Sequence, residues 1–133
     1  MKILYIIRGL SGSGKTTLAN QLSPVVYSAD DWFTNEDGEY NFNPDELFNA
    51  HKHCQDNVRE SMNADGKFGV QFPVIAVANT FSQGWEADPY FKLAEEFGYS
   101  PFVIECQNTF TNVHDVPQET IDAMRDRWES NLR

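Results

Sequence analysis

Gly9, Gly14, Lys15 and Thr16 fill the fixed positions of G-x-x-x-x-G-K-[ST] in the stretch GLSGSGKT, and residues of those types at that spacing serve one chemistry, the cradling of a phosphate chain. Gly12 and Gly14 let the backbone curl at no Cβ cost. Successive N–H groups, those of Ser11, Ser13 and Thr17 included, can then turn inward as an anion nest at the positive end of a helix. Lys15 is expected to reach the β and γ phosphates of a nucleotide as a point charge, and the Thr16 hydroxyl to ligate Mg²⁺.

Other residues could complete a reaction around that loop. Asp30 and Asp31 lie at the carboxyl end of a short apolar run, VVY, and in open parallel sheets ligands bind outside the carboxyl ends of strands. Asp30 is the candidate general base, taking a proton from an attacking hydroxyl, or a carboxylate that helps to hold the metal. Arg125 and Arg127 fall in the last helical stretch, where arginines pair with neighbours such as Asp122 and Glu129; one of them reaching the phosphates would supply the cation that phosphoryl transfer needs. Ala78 and Asn79 end a third apolar run, where nucleotide-binding proteins usually place a second metal-associated Asp, and carry no charge. His51 and His53 are two apart on a helix, so they point to nearly opposite faces and cannot chelate zinc together.

These residues need scaffolding, and the chain supplies it in alternation. Residues 3–7 read as a buried strand, 17–22 as a helix with Leu18 and Leu22 inward, and 25–27 as a second strand. Residues 32–42 set Trp32, Phe33, Tyr40 and Phe42 among polar residues, a compact loop that walls an acceptor pocket or fills core. Asn43 and Pro44 open a helix that buries Leu47, His51, Cys54, Val58 and Met62 and ends near Gly66. A strand at 72–77 follows, then a helix from Asp88 and Pro89 to the stop at Gly98, a strand at 101–105, and a polar connection over 107–116. Pro117 opens a last helix with Ile121, Met124, Trp128 and Leu132 inward. The expected fold is a small three-layer α/β P-loop domain with a mostly parallel sheet of about four to five strands.

With 133 residues, 41% hydrophobic and 23% charged, the chain is expected to form one domain over 1–133. Twenty acidic against ten basic side chains give −10, without the basic stripe of a protein that grips a duplex. A nucleic acid would be held at one end, and a small-molecule substrate suits the charge equally. Cys54 and Cys106 are far apart in apolar contexts and read as buried, reduced thiols. The N-terminal apolar run is too short for a signal or membrane span, so a cytoplasmic location is expected.

In order along the chain, SADDWF, NPDELFNAHKHC, ANTF and NVHDVPQETIDAMRDRWE resemble the P-loop kinase module of bacteriophage and animal polynucleotide 5′-hydroxyl kinases. Within that group the chain looks most like small phage and cellular proteins often labelled AAA-family ATPases. The resemblance implies ATP with Mg²⁺, Lys15 and Thr16 on phosphates and metal, Asp30 as the base, and Asn112 and His114 beside a lid. It also marks differences. Ala78 and Asn79 stand where the family tends to have Asp, Phe110 and Thr111 where it has basic lid residues, Asp115 where it has Gly, and no Arg lies near Phe33. The implied activity is ATP-dependent phosphorylation of a hydroxyl, on a polynucleotide 5′ end or on a nucleoside or other small metabolite. The alternative is a catalytically impaired nucleotide-binding protein that acts on a protein partner through its acidic surface.

Overall fold

The computed structural model describes residues 1–107 and 116–132. Four parallel strands make one sheet in the order β2-β3-β1-β4, with β1 (Ile3–Arg8) beside β3 (Val74–Asn79) and β4 (Ser100–Glu105), and β2 (Val26–Tyr27) at the edge beyond β3. The register runs in step, Ile3 opposite both Val74 and Ser100, and Arg8 opposite Asn79 and Glu105. All three strand ends therefore finish level with the phosphate loop.

Strand periodicity sorts the core into two faces. Leu4, Ile6, Ile75 and Val77 pack with Cys54, Val58 and Met62 of α2 (Leu47–Met62) and with Tyr90, Leu93 and Ala94 of α3 (Gly84–Phe97). On the other face Ile7, Ala76 and Ala78 meet Ala19 of α1 (Lys15–Leu22). The result is the expected three-layer α/β arrangement, with the small residues of β3 letting α1 lie close.

Several boundaries differ from the expectations. The helix opened by Asn43 begins as a 3₁₀ turn, Pro44–Glu46, and its buried stripe is Ala50, Cys54, Val58, Ser61 and Met62. Leu47 is 42% exposed and His51 only half-buried, because this end of α2 overhangs the carboxyl edge of the sheet and faces a cleft instead of the core. The third helix starts at Gly84, not at Asp88: Gln83 and Glu86 form a capping box, and Glu86 Oε2 accepts from Gln83 N at 2.7 Å. Pro89 then sits in the second turn, where its missing N–H leaves only the carbonyl of the solvent-exposed Trp85 without a helical partner. Gly98 closes α3 in the left-handed region at φ 78°, as its position suggested.

The last helix, α4 (Gln118–Asp126), is shorter than its apolar stripe, so Trp128 and Leu132 lie beyond it. Leu132 still joins the main core, and its carbonyl stands 3.0 Å from where a Cβ on Gly84 would project. Cys54 is buried and Cys106 half-buried, both free thiols. Among the described residues no helix is long and apolar enough to cross a membrane.

Candidate active site

The phosphate loop hangs between β1 and α1. A Cβ on Gly9 would lie 2.2 Å from Ser13 Oγ and 3.0 Å from the carbonyl of Cys106, so only glycine fits there. Gly12 and Gly14 take φ 82° and 88°. Gly14 precedes α1 and offers no side-chain cap, and the first turn of the helix holds no acid, which leaves its N–H groups directed at the loop. Ser13 Oγ is buried without a hydrogen-bond partner among the described residues. Lys15, at the start of α1, points its Nζ towards the carbonyl of Leu10 at 3.4 Å. Burial pushes its pKa down, against the opposing pull of Asp30 and Cys106. Thr16 and Thr17 are exposed on the same turn.

Beyond β3, at the end of β2, the two aspartates take different partners. Ser28 caps the 3₁₀ turn Ala29–Phe33: its Oγ accepts from Asp30 N at 3.2 Å, and Asp31 Oδ2 accepts from Ser28 N at 3.0 Å. Asp31 thus serves as a cap, while Asp30 lines the same cleft as Lys15 and accepts a hydrogen bond from Tyr40 Oη at 3.3 Å. Asn79 anchors this turn to the sheet, its buried Oδ1 accepting from Ala29 N at 2.8 Å and Ser28 Oγ at 3.3 Å. The uncharged end of β3 is a strut for the segment that carries Asp30. Asn79→Ala should strand the Ala29 N–H and cost about 1–3 kcal/mol, read as a lower urea midpoint at unchanged slope; an unshifted midpoint would exclude the strut.

Two clefts meet at the loop, and Ser11 lines both. The larger, about 470 Å³, lies between Lys15, Asp30 and the aromatic loop on one side and Phe81, Pro117, Met124 and Arg127 on the other. The smaller, about 430 Å³, is bounded by Leu10, Ser13, Glu105, Cys106, Arg125 and Trp128. The two candidate arginines are therefore separated. Arg127 faces the larger cleft with Nε donating to Ser82 Oγ at 3.1 Å, and Arg125 faces the smaller, paired at 3.4 Å with Asp122. His51 lines the larger cleft and His53 stands edge-on to Trp32, with centroids 5.3 Å apart. Asn112, His114 and the neighbouring positions 110, 111 and 115 lie outside the described residues.

A family profile described as an AAA domain matches residues 4–109. The chain belongs to this AAA domain family. Human NEDD4-binding protein 2 is 30% identical over 141 residues, covering 96% of this AAA domain chain and 8% of the human protein. An uncharacterized protein of Pasteurella multocida (strain Pm70) is 28% identical, with 93% of this chain and 75% of that protein aligned. Among solved structures, a candidate kinase from Chloroflexus aurantiacus J-10-fl superposes with a TM-score of 0.57 at 18% identity, covering 79% of this chain and 59% of that one. The AvrRxo1-ORF1:-ORF2 complex with ATP gives 0.52 at 21% identity, over 79% and 37%. These structures share the fold; the AAA domain chain spans only a small part of the human relative.

Sequence reasoning passed over one residue of the AAA domain, Arg8. It ends β1 directly before Gly9 and is 1% exposed. Its Nη2 and Nε donate to the carbonyl of Phe81 at 2.6 and 3.0 Å, and Nη1 donates to the carbonyl of Ser130 at 3.4 Å and lies 3.6 Å from Glu105 Oε1. The guanidinium also stacks 4.0 Å from the centre of the Trp128 ring. Phe81 takes φ 48°, which aims its carbonyl at this cation. The available signal was a cation at the end of an otherwise apolar strand, IIRG, which needs a partner wherever that strand is buried.

Proposed function

We propose that this AAA domain binds ATP with Mg²⁺ and transfers the γ-phosphoryl group to a hydroxyl acceptor, a polynucleotide 5′ end or a nucleoside or other small metabolite. The observation that carries this reading is the placing of Lys15 and Asp30 in one cleft at the mouth of the phosphate loop. The cradle suits phosphate chemistry: Gly9 sits where a Cβ would close the loop, Ser13 Oγ is buried without a partner among the described residues, and the N–H groups of α1 face the loop. The Thr16 hydroxyl would ligate Mg²⁺, with Asp30 the nearby carboxylate, and the ion when bound would neutralise charge on the β and γ oxygens. Asp30 takes the proton of the acceptor hydroxyl, whose oxygen forms the new bond to phosphorus as the bond to the β-phosphate oxygen breaks; Lys15 neutralises the charge on the phosphates. The smaller cleft beside Cys106 would hold the nucleoside part of ATP.

The test is thermal. ATP with Mg²⁺ at a hundredfold excess over its Kd should stabilise the fold by about 2.7 kcal/mol, a Tm rise on the order of 10 °C. Lys15→Ala should lose most of that rise, and an equal rise in both proteins would place the nucleotide elsewhere. Arginine variants separate the two clefts: Arg127→Ala should lower turnover about a hundredfold at nearly constant ATP affinity, whereas Arg125→Ala should act on the KM for ATP. Unchanged turnover for Arg127→Ala would remove it from the reaction.

A second reading is favoured by the excess of acids and the uncharged Asn79: nucleotide binding without transfer, in the service of a protein partner. ATP binding with no transfer to oligonucleotides, nucleosides or water would favour it.

A further inference from the structure

We infer that the acceptor cleft selects a hydroxyl compound of nucleoside size that carries no phosphate, and turns away acceptors bearing one. The inference rests on the transferase reading and narrows its acceptor. The side of the cleft that holds Asp30 and the aromatic loop is made by the chain between Thr16 and Lys52, and that stretch holds neither Lys nor Arg, while it carries Asp30, Asp31, Glu36, Asp37, Glu39, Asp45 and Glu46. Besides Ala29 and Asp30 its contributions to the cleft are Phe33, Tyr40, Phe42, Pro44, Leu47 and His51, to which the far wall adds Phe81 and Met124.

Anionic groups need cations or directed N–H groups, and among the described residues the lining cations are Lys15, which belongs to the phosphate loop, and Arg127, whose Nε is on Ser82 and which the transferase reading assigns to the transferring phosphoryl, so neither is left for a phosphate on the acceptor. Glu86 adds a further carboxylate to the lining. His51 adds no charge at neutral pH, because burial lowers its pKa in spite of Glu86 and Asp30. Glu39 and Asp45 are exposed next in sequence to the lining residues Tyr40 and Pro44 and, with Asp30 and Glu86 in the lining itself, give this side of the cleft a negative field that a second phosphate has to enter. The aromatic residues supply the attraction instead. Phe33 packs on Phe42 with centroids 5.0 Å apart, and Phe42 stays 52% exposed at the cleft, a face on which a planar ring stacks without regard to charge. A volume of about 470 Å³ matches one small molecule and not a polymer strand.

Calorimetric titration in the presence of Mg²⁺ and a non-hydrolysable ATP analogue tests this with the four ribonucleosides and their 3′-phosphates. At least one nucleoside should bind tenfold or more tightly than its 3′-phosphate, with the gap shrinking as salt is raised. The double variant Glu39→Lys/Asp45→Lys should narrow the gap at low salt, and Phe42→Ala should weaken the nucleoside and its 3′-phosphate alike, leaving the gap in place. Equal or tighter binding of the phosphates, no binding of either set, or a gap indifferent to the charge reversal would overturn the inference. Transfer from ATP is measured separately. A nucleoside preference with no transfer would remove the transferase reading and leave the recognition preference standing.

Discussion

Asp30→Asn should reduce phosphoryl transfer by about two to four orders of magnitude, the usual scale for a general base, while ATP raises the Tm as it does in the wild type. Asparagine keeps the shape and the acceptor atom for the Tyr40 hydroxyl, so the turn Ala29–Phe33 and its anchor on Asn79 have no reason to move. What disappears is the negative charge in the cleft shared with Lys15, and with it the group proposed to receive a proton from the attacking hydroxyl. Single-turnover rates with a saturating acceptor isolate that step from product release. Asp31→Ala is the paired control. Its carboxylate caps the turn at Ser28, so its loss should appear mainly as reduced stability. Equal transfer rates for wild type and Asp30→Asn would disqualify Asp30 as the base.

Arg8→Met should cost about 3–5 kcal/mol, because it leaves the Phe81 and Ser82 carbonyls and Glu105 facing an apolar chain after their charged partner is gone. That is a large share of the roughly 5–15 kcal/mol that holds a domain of ordinary stability together. The loss should fall on one region. Residues 128–132 dock through Trp128 on the guanidinium, through Ser130 on Nη1, and through Glu129 N on the carbonyl of Ser82 at 2.7 Å. Denaturant titration followed by tryptophan fluorescence should therefore show a lower midpoint and a red shift before the main transition. A midpoint within 1 kcal/mol of the wild type would mean that the Arg8 contacts offset their own desolvation and nothing more.

The central strand, the loop and the start of α1 were legible because their pattern is local: five apolar residues, the glycines at fixed spacing, and then a helix. The parallel sheet followed from the alternation of strands and helices. Asp30 could be preferred to Asp31 only by argument, and the capping of Ser28 by Asp31 supplies the physical distinction. Misses arose where a tertiary contact overrode a local signal. Asp88 and Pro89 look like a helix start, yet the reciprocal bonds of Gln83 and Glu86 begin α3 earlier. The apolar spacing of α2 includes Leu47 and His51, yet Ala50 and Ser61 are the residues small enough to lie against the sheet and its neighbours, and Leu47 and His51 turn to the cleft. Asn79 read as a missing charge, whereas its amide oxygen is what fixes the turn carrying Asp30. Arg8 could not be placed from sequence, since its partners are carbonyls of Phe81, Ser82 and Ser130, far along the chain.

The register of the sheet also sets an order of events during synthesis. Among the described residues Ile3 meets its rungs at Val74 and Ser100, and no strand of the sheet pairs with a sequence neighbour joined by a hairpin. A nascent chain that ends before β3 carries the whole glycine loop but has no ladder to hold β1 straight, and it faces the full entropic toll of closing a long loop. The cradle for phosphate is thus among the last features of this domain to form, although its residues precede those of β3 and β4. On the proposed reading a nucleotide would act as a late clamp on a finished sheet, and until then the apolar ILYII segment lacks its ladder partners.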